Sequence, residues 1–580
     1  MFKYEQVGEP INFGFGNNVL ETVLKNRGIK DINSFLNPNE SFLEDINNYD
    51  NINLWIDTYL LHVKNNSNIW LVVDCDFDGM SSASVMYQYT KLLNPNININ
   101  YVLHEGKGHG LKDLMNIFEE NKNEIDLIIV PDAGSSDFEQ HKLLTSWNID
   151  VLVADHHEVN DNKYSEYAIV VNNQLSNKIK DKALTGVGIV YKIIKEIDNR
   201  LKINYADNFL DLVACGMIAD ICDITNLESK YLIDKGIEQI VNKPYNKLIQ
   251  KMVAKSSYVM KNKVNIVGLS FYVCPMINSM VRMGTLEENK IVFEAMCNIE
   301  RQMIDKVRGK GEVEMDLQDY AIRKCEATKR KQKKYTDKGE EELTKQIEEF
   351  GMINMGIILL NGNCLERSLT GLVANRIASK YRRPCIILKT HNGKLKGSGR
   401  GFEECGIFDL KQWCNDTKLF NMCGGHSNAF GCEVEQSNIN NLYNVISTVP
   451  HDKELTYPVD GIINSNSLHN SFVSAIGKLE NVWGTTVKEP LFALEDIQVE
   501  CFGISLRGTK EDTISFDYKG IEFIHFKTDE KICEDIKNNK DKTFKFTIVG
   551  NFRINSFCFD KPQVYIQDFM YEIIDNKFKF

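Results

Sequence analysis

The sequence predicts an α/β multidomain chain. It should hold a domain built on a parallel sheet, a long linker helix, a smaller α/β domain and a C-terminal β-barrel of OB-like type. Three observations predict this. Between about residues 50 and 240, short β-branched runs alternate with longer amphipathic segments, the pattern of a parallel sheet with helices on both faces. Near residues 300–350 lies a charged stretch of good helix formers, expected as an exposed helix bridging two domains. Beyond about residue 455, apolar residues alternate and turn residues punctuate them, as in a small barrel.

The elements follow in order. Residues 1–50 form an N-terminal segment expected to pack on the first domain. Residues 51–300 carry the runs "IWLVVD", "DLIIVPD" and "DVLVADHH", separated by segments such as "SSASVMYQYTKLL". Residues 301–350 are the linker helix. Residues 351–450 hold "MGIILLNG" and "RPCIILKT", a second α/β unit. Residues 451–580 form the barrel, rich in aromatics (Phe492, Phe502, Phe516, Tyr518, Phe523, Phe526). Most of these belong in a core, and a few are candidates to stack on bases.

Bulk properties bound the function. A chain of 580 residues allows three or four domains of roughly 150 residues. Hydrophobic content of 43% and charged content of 26% fit a globular protein with real cores. No apolar run approaches the ~20 residues of a membrane span, and "MFKYEQVGEPINF" lacks the apolar core of a secretion signal. A cytoplasmic protein without membrane contact is expected. The net charge of −12 argues against a surface that coats nucleic acid all over, while leaving room for a local basic track. The fifteen cysteines include no CxxC pair. Cys405, Cys414, Cys423 and Cys432 recur every nine residues, wider than zinc pairs usually are, and chance is the favoured explanation.

Acids end the apolar runs. Asp74, Asp76 and Asp78 close the first, Asp132 the second, and Asp155, His156 and His157 the third. "LVACGMIAD", strand or helix, ends at Asp220. Open parallel sheets bind ligands beyond the carboxyl ends of their strands, so these groups should meet at one rim. Taken singly, each acid reads as a helix cap or turn residue. "DCDFDG" alone resembles a calcium loop, but the twelfth position is Val85 instead of Glu. Taken together, that many carboxylates cannot share a rim without cations. A pair of Mn²⁺ or Mg²⁺ ions suits them, with the imidazoles favouring Mn²⁺. Two such ions can hydrolyse a phosphoester.

The ordered set "DCDFDG", "PDAGSSD", "ADHH" and "GMIAD" resembles the motifs of the DHH phosphoesterase family. "TGVGIVYK" follows in place, and "RSLTGLVANRIASKYRRPCIIL", "GSGRGF" and "GGHSNAFG" resemble the DHH-associated domain. "LKNRGIKDINSFLNPNESFLEDI" and "LENVWGTTVKEPLFAL" look like the RecJ branch. The resemblance spans nearly the whole chain. It implies Asp74, Asp76, Asp78, Asp132, His156 and Asp220 as metal ligands, with Asp132 bridging. Asp155 would orient the neighbouring imidazole, and His157 would contact the scissile phosphate or protonate the leaving group. A water activated by the ions would be the nucleophile. The implied activity is 5′ to 3′ exonuclease action on single-stranded DNA, releasing mononucleotides. The expected associations are a single-strand-binding protein or a helicase, with the enzyme itself a monomer.

The chain also departs from the RecJ pattern. His104 stands where an Arg is expected, and His109 replaces a Tyr. Arg282 lies in a loose version of its segment, and Phe430 replaces an Ala. From Leu365 to Gly431, eleven Lys or Arg face five Asp or Glu. There Arg376, Ser398, Arg400, Gly424, Gly425 and His426 fall in the family-like motifs and are expected, with Arg282, to bind phosphates. The basic run Arg323–Lys338 is expected as a solvated helix face or a track for a strand. Two other functions are compatible with parts of the sequence. One is a phosphodiesterase for short oligoribonucleotides or cyclic dinucleotides. The other is a non-catalytic replisome scaffold, which the complete set of motif acids disfavours.

Overall fold

The computed structural model describes residues 2–9, 11, 19–106, 108–159, 163–180, 182–391, 393–402, 405, 407, 409–450, 455–484, 486–555 and 560–575. They form two compact units: residues 31–331 with 481–488, and residues 1–30 with 332–480 and 489–580. The first fifty residues are therefore divided. Strand β1 (Phe2–Gln6) pairs in parallel with Leu455–Val459. Arg27 holds Asp460 through two bonds of 2.7 and 2.8 Å. These ties place residues 1–30 in the second unit, where the sequence suggested one segment packed on the first.

The first unit is built on five parallel strands: β2 (Ile69–Val73), β3 (Ile99–Leu103), β4 (Leu127–Pro131), β5 (Asp150–Asp155) and β6 (Ile169–Asn172). Their order is β3-β2-β4-β5-β6. The order reverses between β2 and β4, and a doubly wound sheet opens its ligand crevice at such a switch point. Strand β4 is buried throughout, so it reads as an unbroken apolar run instead of an alternating one. The helix Phe77–Leu93 is buried along most of its length. Trp55, on the helix Ile52–Lys64, donates to the carbonyl of Val153 in β5 at 3.1 Å.

"LVACGMIA" is a helix, Leu210–Ala219, with Asp220 as its C-cap. Ile266–Met283 is long and apolar enough to span a membrane by length and composition, which the sequence reading did not register. It is 56% buried inside the protein, so packing accounts for its apolar character. Residues 302–316 are not helical either. They form the hairpin of β7 (Gln302–Val307) and β8 (Gly311–Asp316) before the long helix Leu317–Glu349. The boundary between the units falls inside that helix.

The second unit contains two sheets. Strands β9 (Ile358–Asn361), β10 (Cys385–His391), β11 (Lys394–Arg400), β12 (Phe420–His426) and β13 (Ala429–Glu435) run in the order β12-β13-β11-β10-β9. Leu455–Val459 is β14. Then come β15 (Gly461–Asn464), β16 (Leu491–Glu500), β17 (Ser505–Arg507), β18 (Thr513–Tyr518), β19 (Ile521–His525), β20 (Thr543–Asn555) and β21 (Lys561–Ile574), ordered β15-β16-β20-β21-β19-β18-β17. Among the described residues these seven strands form one mixed sheet in that order. Register shifts at Leu494/Ile497 and Val549/Gly550 mark bulges, which bend and twist a sheet locally. Phe492, Phe516 and Phe523 are core, while Phe502 and Phe526 are exposed.

His141, on the helix Phe138–Ser146, gives the first unit a pH dependence. It is fully buried; Nδ1 lies 3.1 Å from Ser165 Oγ and Nε2 has no hydrogen-bond partner. Burial pushes its pKa down to about 4. The neutral ring is the folded form, so its contribution is complete above the unfolded value near 6.5 and is lost as pH falls toward 4. Urea unfolding from pH 7 to 4.5 should show His141→Leu losing about 2–3 kcal/mol less than the parent protein; equal losses would contradict this.

Candidate metal centre

The switch point gathers the strand-end groups. Asp74 follows β2. Asp76 caps the helix Phe77–Leu93 by accepting from Gly79 N at 2.9 Å, and Asp78 lies in that helix's first turn. Asp132 follows β4 with φ +65°, and its N–H donates to the Ala154 carbonyl at 2.7 Å. That left-handed turn is where the strand must break for the carboxylate to enter the crevice. His156 and His157 follow β5. Three sets of ligand atoms converge within 4.8 Å: Asp74, Asp76 and Asp132; Asp78, His156 and Asp220; and Asp132, His156 and His157. All six expected ligands are in this constellation.

Glycines make the approach close enough. A Cβ on Gly186 would stand 2.2 Å from Asp132 Oδ1, and one on Gly79 would stand 2.5 Å from Asp74 Cβ. Gly186 opens the helix Gly186–Leu201, whose first turn is aimed at Asp78. Gly186 N donates to Asp78 Oδ2 at 2.8 Å, Val187 N to Oδ1 at 3.2 Å and Thr185 Oγ1 to Oδ1 at 3.1 Å. The N-terminal partial charge of the helix thus faces a carboxylate. "TGVG" is legible as this feature only once the fold has brought it to Asp78.

Asp155 belongs to none of the three ligand sets. Its Oδ2 accepts from Ser135 N at 3.0 Å, and its Oδ1 accepts from His156 N and His157 N at 2.7 and 3.1 Å. His157 Nδ1 lies 2.7 Å from the same oxygen. The imidazole it orients is therefore His157, and Nε2 of that ring is left for other work. Burial pulls the His157 pKa down, but the Asp155 bond and charge lift it to about 9. Burial also pushes Asp155 up, and the two histidines more than reverse this, leaving it below the usual carboxylate range.

The other acids are in conflict. Burial first, then the Asp76 charge, raises Asp78 to about 7. Burial and the charges of Asp78 and Asp76 raise Asp220 to about 8. Burial followed by four neighbouring carboxylates raises Asp132 well above its ordinary value. Burial pushes His156 down to about 4. Asp74 Oδ1 and Asp132 Oδ1 are buried without a hydrogen bond, although His156 Nε2 lies 3.2 Å from Asp132 Oδ1 and 3.6 Å from Asp220 Oδ2. Adjacent donors around a six-coordinate ion at 2.0–2.1 Å lie about 3 Å apart. Orphaned oxygens at that spacing from an imidazole fit divalent cations, and the carboxylate-rich donor set fits Mn²⁺ or Mg²⁺.

The structure adds two histidines to the neighbourhood. His109 Nδ1 lies 3.0 Å and His104 Nε2 4.0 Å from Asp74 Oδ1. Their positions were read in the sequence only as departures from a pattern. Arg282, in the helix Cys274–Met283, feels burial, which lowers its pKa, and the Asp76 charge, which raises it.

The remaining expected contacts lie in the second unit. Arg400, Ala429 and His426 form one row across β11, β13 and β12, and Ser398, Gly431 and Gly424 form another. Gly425 lies between them at φ +122°. Ser398 Oγ shares a bond of 2.9 Å with Thr370 Oγ1. The Arg400 guanidinium is close enough to Gly371 that a Cβ there would meet Nη2 at 2.6 Å, at the first turn of the helix Thr370–Tyr381. Arg376 instead turns to Asp337 and Glu340, at 2.6 and 3.3 Å. Phe430 is buried against Gly399, so this departure fills the core. Cys414, Cys423 and Cys432 share one apolar cluster, Cys423 opposite Cys432. Cys405 donates to the Phe402 carbonyl at 2.9 Å. Among the described residues no metal-capable group contains a cysteine.

Known proteins resemble this chain in sequence and in fold. The family described as "DHH family, N-terminal domain" matches residues 68–217. The chain is 34% identical over 571 residues, 97% of either chain, to YorK of Bacillus subtilis (strain 168), a prophage-derived protein whose name assigns it single-strand-DNA-specific exonuclease activity provisionally. It is 24% identical over 492 residues to the single-stranded-DNA-specific exonuclease RecJ of Haemophilus influenzae, covering 80% of this chain and 79% of that one. The crystal structure of Thermus thermophilus RecJ with Mn²⁺ superposes on 100% of this chain and 81% of its own, with a TM-score of 0.74 at 16% identity, which establishes a shared fold. The chain belongs to the DHH family, in the branch that holds YorK and the RecJ exonucleases.

Proposed function

We propose that this protein is a metal-dependent exonuclease that hydrolyses the phosphodiester bonds of single-stranded DNA from the 5′ end and releases mononucleotides. The observation that carries the reading is the convergence of five carboxylates and His156 at the switch point of a parallel sheet, with two buried oxygens that make no hydrogen bond. The full-length match to YorK and the names of the RecJ relatives support single-stranded DNA as the substrate. The alternative of a short-oligonucleotide phosphodiesterase does not account for the second unit's additional sheet, β15–β21.

Two divalent cations, Mn²⁺ or Mg²⁺, would supply water activation and stabilisation of the leaving oxygen. Asp74, Asp76 and Asp132 would hold one, and Asp78, Asp132, His156 and Asp220 the other. The chain's own contribution is positioning and proton handling. Asp155 fixes His157 through Nδ1, so that Nε2 carries a proton to the phosphoryl group or the leaving oxygen. The helix Gly186–Leu201 holds Asp78 in place. Ser398, Arg400, His426 and the glycine backbone of Gly424 and Gly425 bind backbone phosphates. Arg282, which feels the Asp76 charge, binds a phosphate near the reacting centre.

We read the chain as the modules set out from sequence, with the N-terminal fifty residues shared between units and the linker helix shortened to 317–349. Strands β16, β18, β19, β20 and β21 follow the OB order, with the helix Glu530–Asn538 between β19 and β20. Exposed Phe502 and Phe526 are the candidates to stack on bases. The protein would act as a cytoplasmic monomer on strands that a helicase or a single-strand-binding protein presents.

With Mn²⁺, single-stranded DNA should release labelled mononucleotide at once from a 5′ label and late from a 3′ label, and duplex should resist. A dinucleotide consumed in preference would contradict the polymer substrate. Asp132→Ala should lower the rate at least about a hundredfold. Gly186→Ala, which forces Asp132 aside, should bind Mn²⁺ at least about tenfold more weakly by calorimetry; unchanged binding would contradict the assigned geometry. Arg400→Ala should weaken DNA affinity and reduce the slope of log affinity against log salt by about one. An unchanged slope would remove Arg400 from the phosphate contacts.

A further inference from the structure

The two ion-binding sets differ in chemistry. Asp78, His156 and Asp220 include an imidazole, whereas Asp74, Asp76 and Asp132 are all carboxylates. The segment after β3 brings histidines to Asp74 of that second set. His104, just beyond β3, has a fully buried side chain and no hydrogen bond at either ring nitrogen, and its Nε2 points at Asp74 Oδ1 from 4.0 Å. His109 is nearer, with Nδ1 at 3.0 Å from the same oxygen, which itself lacks a hydrogen bond.

The segment that presents His109 is held from both sides. Cys75 Sγ donates to the Gly108 carbonyl at 2.6 Å, and Leu111 N donates to Asp137 Oδ2 at 2.7 Å. A Cβ on Gly108 would stand 2.3 Å from His104 Nδ1, so only glycine lets the segment fold down over that ring. Gly110 takes φ +71°, the left-handed turn that sends the chain back to Asp137. The His109 ring meets His157 edge-on, with centroids 4.7 Å apart. The side chain is 49% exposed, so apolar packing does not account for its place, whereas the polar contact with Asp74 does.

We propose that His109 is a protein ligand of the ion held by Asp74 and Asp76. Each ion then has one imidazole among its oxygens. Mn²⁺ takes mainly oxygen ligands but, as a transition cation, accepts an imidazole more readily than Mg²⁺, which keeps to oxygen and water. His109 therefore makes the Asp74 ion selective for Mn²⁺ over Mg²⁺. The inference rests on the metal-centre reading above.

The test is metal binding by the metal-free full chain, with its His109→Phe and His109→Gln variants. Free Mn²⁺ is followed by its electron paramagnetic resonance signal and Mg²⁺ by calorimetry. The parent protein should bind two Mn²⁺. His109→Phe should weaken one of them about 10- to 100-fold, with Mg²⁺ affinity changed less than threefold and His109→Gln intermediate. The Mn²⁺ spectrum of the parent should show nitrogen coupling at both ions, and that of His109→Phe at one. Two Mn²⁺ bound with parental affinity by both variants would overturn the proposal and leave His109 an ion-pair partner of Asp74. Equal loss of Mn²⁺ and Mg²⁺ affinity would overturn it as well. A parent protein that binds no Mn²⁺ would overturn the metal-centre reading itself, which separates the two failures. The partly exposed position of His109 lets both variants keep the fold, and matching circular dichroism spectra verify this.

Discussion

Like charges at close range govern this molecule. Asp74, Asp76, Asp78, Asp132 and Asp220 are brought to one crevice, most of them buried, and burial together with mutual repulsion raises several of their pKa values. A chain does not keep such a cluster for its own stability, since an unpaired buried carboxylate costs several kcal/mol. The surrounding architecture works to hold the acids together despite that cost. The helix Gly186–Leu201 directs its first turn at Asp78, Asp76 caps its own helix, and Asp155 is satisfied on both oxygens. What stays unsatisfied, Asp74 Oδ1 and Asp132 Oδ1, lies where cations complete the balance.

The sheet order makes this gathering possible. Reversal of the strand order between β2 and β4 opens a crevice flanked by the two strands that lead into Asp74 and Asp132. β5 adds the histidines on one side and β3 adds His104 on the other. Asp220 arrives from a helix end, not a strand, because Leu210–Ala219 packs against the helix Phe77–Leu93 and aims its C-terminus at the same place. The second unit keeps phosphate-binding groups on sheet rows, where backbone pairing fixes Ser398, Arg400 and His426 in register.

Much of this was legible in the sequence, for a physical reason. Acids that terminate β-branched runs mark the carboxyl edge of a parallel sheet, and alternation with helices fixes the class. Tertiary geometry was less legible. Nothing local told that Phe2–Gln6 would pair with Leu455–Val459, or that residues 302–316 would turn back as a hairpin. The role of Asp155 was half legible: its function as an orienting group was expected, but which imidazole it holds depends on the turn after β5. His104 and His109 were visible only as departures, since their meaning lies in their distance to Asp74. Three of the four evenly spaced cysteines, Cys414, Cys423 and Cys432, lie on a helix and two strands that share one core.

The central claim is that cations complete the carboxylate crevice. Crystals grown with Mn²⁺ and measured at its absorption edge test it most directly. The account predicts two anomalous peaks, one among Asp74, Asp76 and Asp132 and one among Asp78, Asp132, His156 and Asp220. Well-ordered crystals with no peak in that crevice, or with Mn²⁺ bound only elsewhere, would contradict it.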